Sequence, residues 1–442
     1  MKRVIMKEMK FRGLIAGTLF STLILIGSCQ KPLSTHVDTR SQTRPSGLPE
    51  FHQRGGLPNF FQKVKEGRDV KVAYFGGSIT EAGDGWRSMT FNWLRINYPH
   101  TPFTEINATI GGTGSNLGVF RMDHDILEQK PDLVFVEFAV NDFGRSSHQI
   151  NQSMEGIIRK IWKANPNTDI CFVYTLAENV LQEIQDGHYQ ATAQTMEKIA
   201  DKYQIPSIHM GVEVARLAKE GKLVFTGKPE ENPGKIVFTT DKTHPLSKSG
   251  HPIYASVVRK YLTEMEEMIG EKPHGLPTPL IADNWETSQL ISLSELPPSA
   301  HWQKLPADHE VVKAFSKSMP SIYQPTTPNA ILRIKFKGTT LGFYDVIGPK
   351  SGILEVTLDG VKKEVQRFDQ FCHYYRRSSY FLDGLSDSVH EVTVRVPRTG
   401  FDKAAILQKR NIKIDDPSRY AENGWYLSNL LLVGNLLSLQ WD

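Results

Sequence analysis

Short apolar runs alternate with longer amphipathic segments between residues 69 and 270. Three runs are almost continuously apolar, as expected of strands covered on both faces, at residues 70–75, 133–140 and 170–174. Segments of helical period lie between and after them, at residues 154–164, 189–203 and 247–268. This alternation predicts a parallel sheet with helices on both faces.

The hydrophobic period changes after Glu271. Residues 272–279 are rich in proline, which predicts a stiff connector. Beyond it, apolar and polar residues alternate with a period of two at residues 332–337, 354–358 and 392–396. Asp359-Gly360 is a hairpin signal next to one of these runs. We therefore expect a second, all-β domain, a jelly-roll-like sandwich.

Charge is balanced over most of the chain. The 442 residues contain 52 Lys plus Arg and 48 Asp plus Glu, and the excess lies within residues 1–28. The remainder has 47 basic and 47 acidic residues. Bulk charge therefore gives no case for nucleic-acid binding, and we expect no nucleic-acid partner.

The N-terminus is typical of a targeting segment. A basic stretch at residues 2–12 precedes an apolar run at 13–27, which is short for a membrane span. The run ends in Ser28-Cys29 and resembles a bacterial lipobox, which implies a lipid on Cys29 and an anchor in the outer membrane after secretion across the inner membrane. A plain signal peptide with an incidental Cys29 is the alternative, and the sequence leaves the membrane side open.

These patterns divide the chain into a lipoprotein signal peptide (1–28), a tether (29–60), an α/β domain (61–270), a Pro-rich linker (271–280) and a β-sandwich domain (281–442). Cys171 and Cys372 fall in different domains. We expect two free thiols, because a chain of this size does not need disulfides to be stable.

Two motifs follow predicted strands. In the segment 75–80, glycines precede Ser78, and the carboxyl end of a strand is where open α/β sheets place their sites. A helix-capping role for Ser78 is the alternative. Asn141 stands at a similar strand end, where its amide can donate to a developing negative charge.

Two further motifs complete a candidate site. The segment 107–115 is glycine-rich but lacks the ending of a phosphate loop, and an unhindered backbone N–H there suits an oxyanion hole. In Asp241-Lys242-Thr243-His244, a histidine can act as base while an aspartate three residues earlier holds its other nitrogen. A surface turn is the alternative, and His251 is a competing histidine.

Together these four segments resemble the SGNH (GDSL-like) hydrolase family. The resemblance implies a three-layer α/β/α, flavodoxin-like parallel sheet, with no metal or organic cofactor. It also implies Ser78 as the nucleophile, His244 as the base and Asp241 as the partner that orients this base. The backbone N–H of Gly112 and the side-chain amide of Asn141 would complete the oxyanion hole with the N–H of Ser78. Gly111 is the alternative to Gly112 as donor. The chain departs from the family pattern at two positions. Gly77 stands where an aspartate usually precedes the serine, and Ala139 stands where the segment that contains Asn141 usually begins with glycine.

A secreted esterase joined to a β-sandwich resembles bacterial carbohydrate esterases, which implies a carbohydrate substrate and hydrolysis of O-acetyl esters. The alternatives are a uronate methylesterase, a lipid or acyl-transfer esterase, and a non-catalytic glycan-binding lipoprotein. Trp86 and Arg121 are candidates for the pocket wall, with packing and ion pairing as alternatives. A group of aromatic residues is either sandwich core or a sugar platform: Phe368, Phe371, Tyr374, Tyr375, Tyr380 and Phe381. The oligomeric state is open.

Overall fold

The computed structural model describes residues 47–398 and 400–442. The predicted signal peptide, Cys29 and the tether up to residue 46 lie outside these residues. Residues 51–60, which the sequence pattern assigned to the tether, contain a short strand and the start of a helix. The folded part therefore begins earlier than the predicted boundary at residue 61. No helix within the described ranges has the length and apolar character needed to cross a membrane.

The α/β half is defined here as residues 47–270. Its strands are β1 (Phe51–His52), β2 (Val70–Gly76), β3 (Phe103–Asn107), β4 (Leu133–Glu137), β5 (Asp169–Tyr174), β6 (Ser207–His209), β7 (Leu223–Thr226) and β8 (Ile236–Thr239). Its helices are α1 (Pro58–Lys65), α2 (Ser78–Glu81), α3 (Trp86–Asn97), α4 (Ser115–Asp125), α5 (Ser147–Ala164), α6 (Leu181–Gln185), α7 (Ala191–Tyr203), α8 (Gly211–Lys219) and α9 (Gly250–Met265).

The central sheet has the strand order β1-β6-β5-β4-β2-β3. Strands β2 to β6 pair in parallel, and β1 adds an antiparallel edge. The parallel order is that of a flavodoxin-like fold, as predicted. Chain direction across the sheet reverses between β2 and β4, and open α/β sheets bind ligands outside the carboxyl ends of the strands at such a point.

Two apolar layers cover the sheet, one on each face. Val72 and Tyr74 of β2 face a cluster built with α1, α3, α8 and α9, whereas Ala73 and Phe75 face one built with α4, α5 and α7. The two sets alternate because successive side chains of a strand point to opposite faces. The strand is apolar on both faces for this reason, which confirms the three-layer α/β/α prediction.

The β half is defined as residues 281–442. Its strands are β9 (Ser288–Ser292), β10 (Trp302–Lys304), β11 (Tyr323–Pro325), β12 (Ile331–Ile347), β13 (Ile353–Leu358), β14 (Val361–Gln366), β15 (Arg376–Leu382), β16 (Ser388–Arg395) and β17 (Tyr426–Trp441). Two short helices accompany them, α10 (Glu310–Phe315) and α11 (Lys403–Gln408).

The strands of the β half form one antiparallel sheet, which confirms the all-β prediction. Its long strands β12 and β17 lie side by side over most of their length. Gly338 and Gly434 face each other where their register shifts, and a β-carbon on Gly434 would lie 2.6 Å from the α-carbon of Gly338. Asp359 and Gly360 both have positive φ and form the predicted hairpin between β13 and β14.

The two halves share an apolar core. Phe120 of α4 packs with Trp285, and both rings contact Phe381 of β15. The Pro-rich linker is also held to the α/β half, because His274 bonds the buried Asp169 at 2.7 Å and its ring stacks on a tryptophan. Residues 47–442 therefore form a single compact unit.

Candidate active site

Ser78 lies at the carboxyl end of β2, at the point where the strand order reverses. The strand ends at Gly76, Gly77 is extended, and α2 begins at Ser78. Ser78 does not cap this helix. Its Oγ instead lies 2.8 Å from Nε2 of His244. The capping alternative is therefore not what the structure shows.

The loop after β8 holds His244 through Asp241. The carboxylate accepts the backbone N–H groups of His244 and Thr243 and the hydroxyl of Thr239, and its Oδ2 lies 2.7 Å from Nδ1 of the His244 ring. Burial disfavours the charged carboxylate, but these hydrogen bonds outweigh it and hold the pKa of Asp241 well below its usual range. Lys242 has a φ of 74°, so the tight loop places a non-glycine residue in the left-handed region.

These contacts make a continuous chain from Asp241 through His244 to Ser78. The Asp241 carboxylate fixes Nδ1 as the protonated nitrogen, which leaves Nε2 free to accept the serine proton. The side chains of His244 and Asp241 are 50% and 52% exposed. The site therefore opens directly to solvent.

A second Ser-His-Asp grouping lies in the β half, and its histidine makes different hydrogen bonds from those of His244. His390 contacts Asp359 through Nδ1 at 2.7 Å, and its Nε2 lies 3.3 Å from Ser388 Oγ. Nε2 also donates to the carbonyl of Ser386 at 2.9 Å, so both ring nitrogens carry hydrogen. Burial opposes the charged ring, but these bonds raise the pKa of His390. A ring that already donates from both nitrogens cannot take a proton from serine.

The glycine pair beside Ser78 has two different environments. The N–H of Gly111 donates to Oε2 of Glu81 at 2.8 Å. Gly112 has a φ of 72°, is exposed, and would meet nothing within 4 Å if it carried a β-carbon. The N–H of Gly111 is already used, and this contact leaves the N–H of Gly112 for the predicted role of donor.

Asn141 lies directly beside the turn that carries Ser78. A β-carbon on Gly77 would lie 2.6 Å from Cγ of Asn141, so the amide occupies the space next to the residue before Ser78. Asp142, the next residue, is buried and accepts the N–H and hydroxyl of Ser115 at the start of α4. This bond ties the Asn141 loop to the loop that carries the glycine pair.

Two carboxylates near the site were not found from the sequence. Glu137, at the end of β4, is fully buried and accepts the hydroxyls of Thr80 and Thr175, so it holds the helix that begins at Ser78. Burial raises the pKa of Glu137 although both threonines favour its charged form. Glu81 lies three residues after Ser78, about one helical turn away. This spacing was the signal in the sequence that could have placed Glu81 near Ser78.

His251, the other candidate for the base, contacts the protein backbone and not Ser78. Its Nδ1 accepts the backbone N–H of Trp86 at 3.1 Å, and it is 2% exposed. Burial lowers the pKa of His251 to about 4, in agreement with a neutral ring that accepts a hydrogen bond.

Trp86 and Arg121 do not line an open pocket, because both are buried. Trp86 packs against the ring of Tyr74. Arg121 lies over the ring of Phe75 and forms an ion pair with Asp125. Trp86 is therefore a packing residue and Arg121 a member of an ion pair, which were the alternatives to a role in the pocket wall.

The aromatic group of the β half is mainly core. Phe368 is buried, Tyr380 stacks with Phe343, and Phe381 belongs to the core that the halves share. Tyr374, at 48%, is the exposed member of the group. Most of this group therefore belongs to the core and does not form a platform for sugar rings.

Residues 74–245 match the model of the GDSL-like Lipase/Acylhydrolase family. The match contains all four motifs and confirms the resemblance drawn from them, together with the predicted class of carboxylic ester hydrolase. No curated protein sequence matches the chain.

Two solved structures are similar to parts or most of this chain. A two-domain esterase (CEX) active on acetylated mannans, crystallised with mannopentaose, is 20% identical over 87% of this chain and 97% of that chain, with a TM-score of 0.66. The acetyl xylan esterase AlAXEase is 22% identical over 43% of this chain and 99% of its own, with a TM-score of 0.36. The first likeness extends over both halves.

Proposed function

Because the chain is a carboxylic ester hydrolase with a GDSL-like acylhydrolase domain, we propose that it removes O-acetyl groups from polysaccharides or oligosaccharides. The observation that carries the proposal is the chain of hydrogen bonds from Asp241 through His244 to Ser78. In the proposed mechanism, Ser78 is the nucleophile, His244 is the general base and Asp241 orients His244.

The first half of the reaction transfers the acetyl group to the enzyme. Ser78 Oγ attacks the ester carbonyl carbon, and its proton passes to Nε2 of His244. The carbonyl oxygen becomes an oxyanion that accepts the backbone N–H groups of Ser78 and Gly112 and the amide of Asn141. When this intermediate collapses, the bond to the sugar oxygen breaks and His244 gives that oxygen its proton.

The second half releases acetate by the same route. Water gives a proton to His244 and attacks the acetyl-serine carbonyl. The new oxyanion is held by the same donors, and its collapse returns the proton to Ser78 Oγ. One ester and one water become one sugar hydroxyl and one acetic acid, which ionises to acetate and a proton, and the balance needs no other reactant.

The open site supports a polymeric substrate. Half-exposed side chains at His244 and Asp241 allow a bulky glycan to bring a short acyl group to Ser78. The fold shared with an esterase active on acetylated mannans agrees with this choice. A uronate methylesterase, a lipid or acyl-transfer esterase and a non-catalytic glycan-binding lipoprotein are the other candidates.

We place the protein on a membrane through a lipid on Cys29. The lipobox-like end of the apolar run at residues 13–27 supports this assignment, and the polar residues after Cys29 would tether the folded unit. An outer-membrane location follows from the same resemblance. Radiolabelled palmitate should label the parent chain and not Cys29→Ser, and labelling of both would overturn the lipid anchor.

The test of function measures acetate and methanol released from several acetylated and methyl-esterified polysaccharides. We expect acetate from the parent and from Ser256→Ala, an exposed serine on α9, and none from Ser78→Ala. Methanol without acetate would support the methylesterase. Release of neither, with no reaction of Ser78 with a phosphonate probe, would support the non-catalytic alternative.

A further inference from the structure

One peptide unit of the candidate oxyanion hole is held from both halves of the molecule. The carbonyl oxygen of Gly111 accepts a hydrogen bond from Nη2 of Arg377 at 3.2 Å. The N–H of Gly112 belongs to the same peptide unit as this carbonyl. Arg377 is on β15 of the β half, whereas the glycines follow β3 of the α/β half.

Arg377 is held in place by neutral groups. Its Nη1 donates to the hydroxyl of Ser318 at 3.3 Å, and its guanidinium lies 5.6 Å from the centre of the Phe315 ring. On β15 it stands opposite Val346 of β12. Its positive charge is therefore directed at a backbone carbonyl in a half-buried setting.

The geometry of a peptide unit links this contact to the oxyanion. A trans peptide is planar, and its C=O and N–H point in opposite directions, so a fixed carbonyl fixes the direction of the N–H. A charged donor on the carbonyl also makes a stronger bond than a neutral donor, and it polarises the N–H at the other end of the unit.

Glu81 completes the arrangement from the other side. Its carboxylate accepts the N–H of Gly111 and so fixes the preceding peptide unit. Gly112 has a φ of 72° and open space where a β-carbon would lie, so no side chain of its own restrains the turn. The two anchors hold the peptide units on either side of Gly111.

We propose that Arg377 is a positioning residue, which orients and polarises the Gly111–Gly112 peptide so that the N–H of Gly112 can bind the oxyanion. This inference rests on the proposed function, because it assumes that an oxyanion forms at Ser78. It makes the β half a part of the catalytic apparatus.

The test compares Arg377→Met, Arg377→Lys and a matched control, Arg376→Met, in the full chain. Arg376 is the next residue on β15 and pairs with Asp369. With 4-nitrophenyl acetate, which offers no sugar to bind, we expect Arg377→Met to lower kcat by about 10- to 100-fold with KM within about twofold of the parent. Arg377→Lys should recover part of this loss, and the control should keep the parent's kcat.

A second readout does not depend on activity. In glycine-labelled protein, the amide resonance of Gly112 should shift in Arg377→Met and stay in place in the control, because polarisation of the peptide is lost only in the former. A parental kcat in Arg377→Met, or a Gly112 resonance that does not move, would overturn the proposal. If the parent itself hydrolyses no ester, the proposed function fails, and an unmoved resonance would separately exclude the Arg377 contact.

Discussion

The side-chain amide of Asn141 lies against the α-carbon of Gly77, in the space that any larger residue at position 77 would need. A β-carbon there would be 2.6 Å from Cγ of Asn141 and 2.8 Å from Nδ2. The family's usual aspartate before the serine therefore does not fit this arrangement. The glycine is what allows Asn141 to reach the turn that carries Ser78.

Gly77→Ala should impair catalysis by displacing Asn141. We expect a fall in kcat approaching the effect of losing one oxyanion donor, about 10²–10³-fold. Gly83→Ala is the matched control, because a β-carbon on Gly83 would meet nothing within 4 Å. Steady-state kinetics on a small ester checks both variants, and a Gly77→Ala enzyme as active as the control would show that Asn141 is not held there.

Asp241→Asn should remove the group that selects the tautomer of His244. The carboxylate can only accept from Nδ1, whereas an amide can also donate to it and leave Nε2 protonated. We expect kcat to fall by about 10²–10⁴-fold. Because the pKa of Asp241 is lowered, its carboxylate stays ionised as the pH falls toward 5, so this deficit should persist across pH 5–8. Asp84→Asn, an exposed carboxylate nearby, should keep parental kcat, and a deficit of similar size there would contradict the assignment.

The free energy of unfolding should depend on pH through Asp142. Burial raises the pKa of Asp142 to about 6, against the hydrogen bonds of Ser115 and the charge of Arg145, which favour the carboxylate. The unfolded chain ionises first, so this group makes the fold less stable as the pH rises from about 4 to 6, by at most about 1.4 kcal/mol per pH unit.

Asp142→Asn removes this titration. Urea unfolding at pH 4, 5, 6 and 7 should show the variant's free energy of unfolding rising relative to the parent's up to pH 6 and then levelling. A difference between the two proteins that stays constant from pH 4 to 7 would contradict the raised pKa.

Gly434→Ala should destabilise the β half. Gly434 has a φ of 134°, and its β-carbon would collide with the backbone of Lys337 and Gly338 on the neighbouring strand. We expect a loss of about 2 kcal/mol or more in the free energy of unfolding, measured by urea titration. Gly275→Ala, where a β-carbon has open space, should lose far less. Equal stability in the two variants would contradict the predicted collision at Gly434.

The sheet and the main contacts of the site could be predicted because their signals are local. Apolar runs mark β2, β4 and β5, since a central parallel strand is buried on both faces. Ser78 and Asn141 each follow a strand of the central sheet, and strand ends of a parallel sheet meet at one edge. Asp241 follows β8 of a separate two-stranded sheet, and its spacing of three residues from His244 was the local signal there. The hairpin at Asp359-Gly360 likewise needs only its own two residues.

The rest depends on contacts between distant parts of the chain. Arg377 and Gly111 are 266 positions apart, and no local pattern indicates that they touch. Gly112 was chosen over Gly111 from the family resemblance, but the sequence did not indicate that Glu81 binds the N–H of Gly111. Trp86 and Arg121 lie near the motifs in sequence, but the sequence did not show that both face the core.

We propose that Ser78 is an activated nucleophile. The decisive experiment treats the parent and His244→Ala with a serine-reactive phosphonate and locates the adduct by mass spectrometry. We expect one adduct on the tryptic peptide of residues 72–87, at Ser78, and a reaction at least about 10²-fold slower in His244→Ala. An adduct at another serine, no adduct, or equal rates in the two proteins would contradict it.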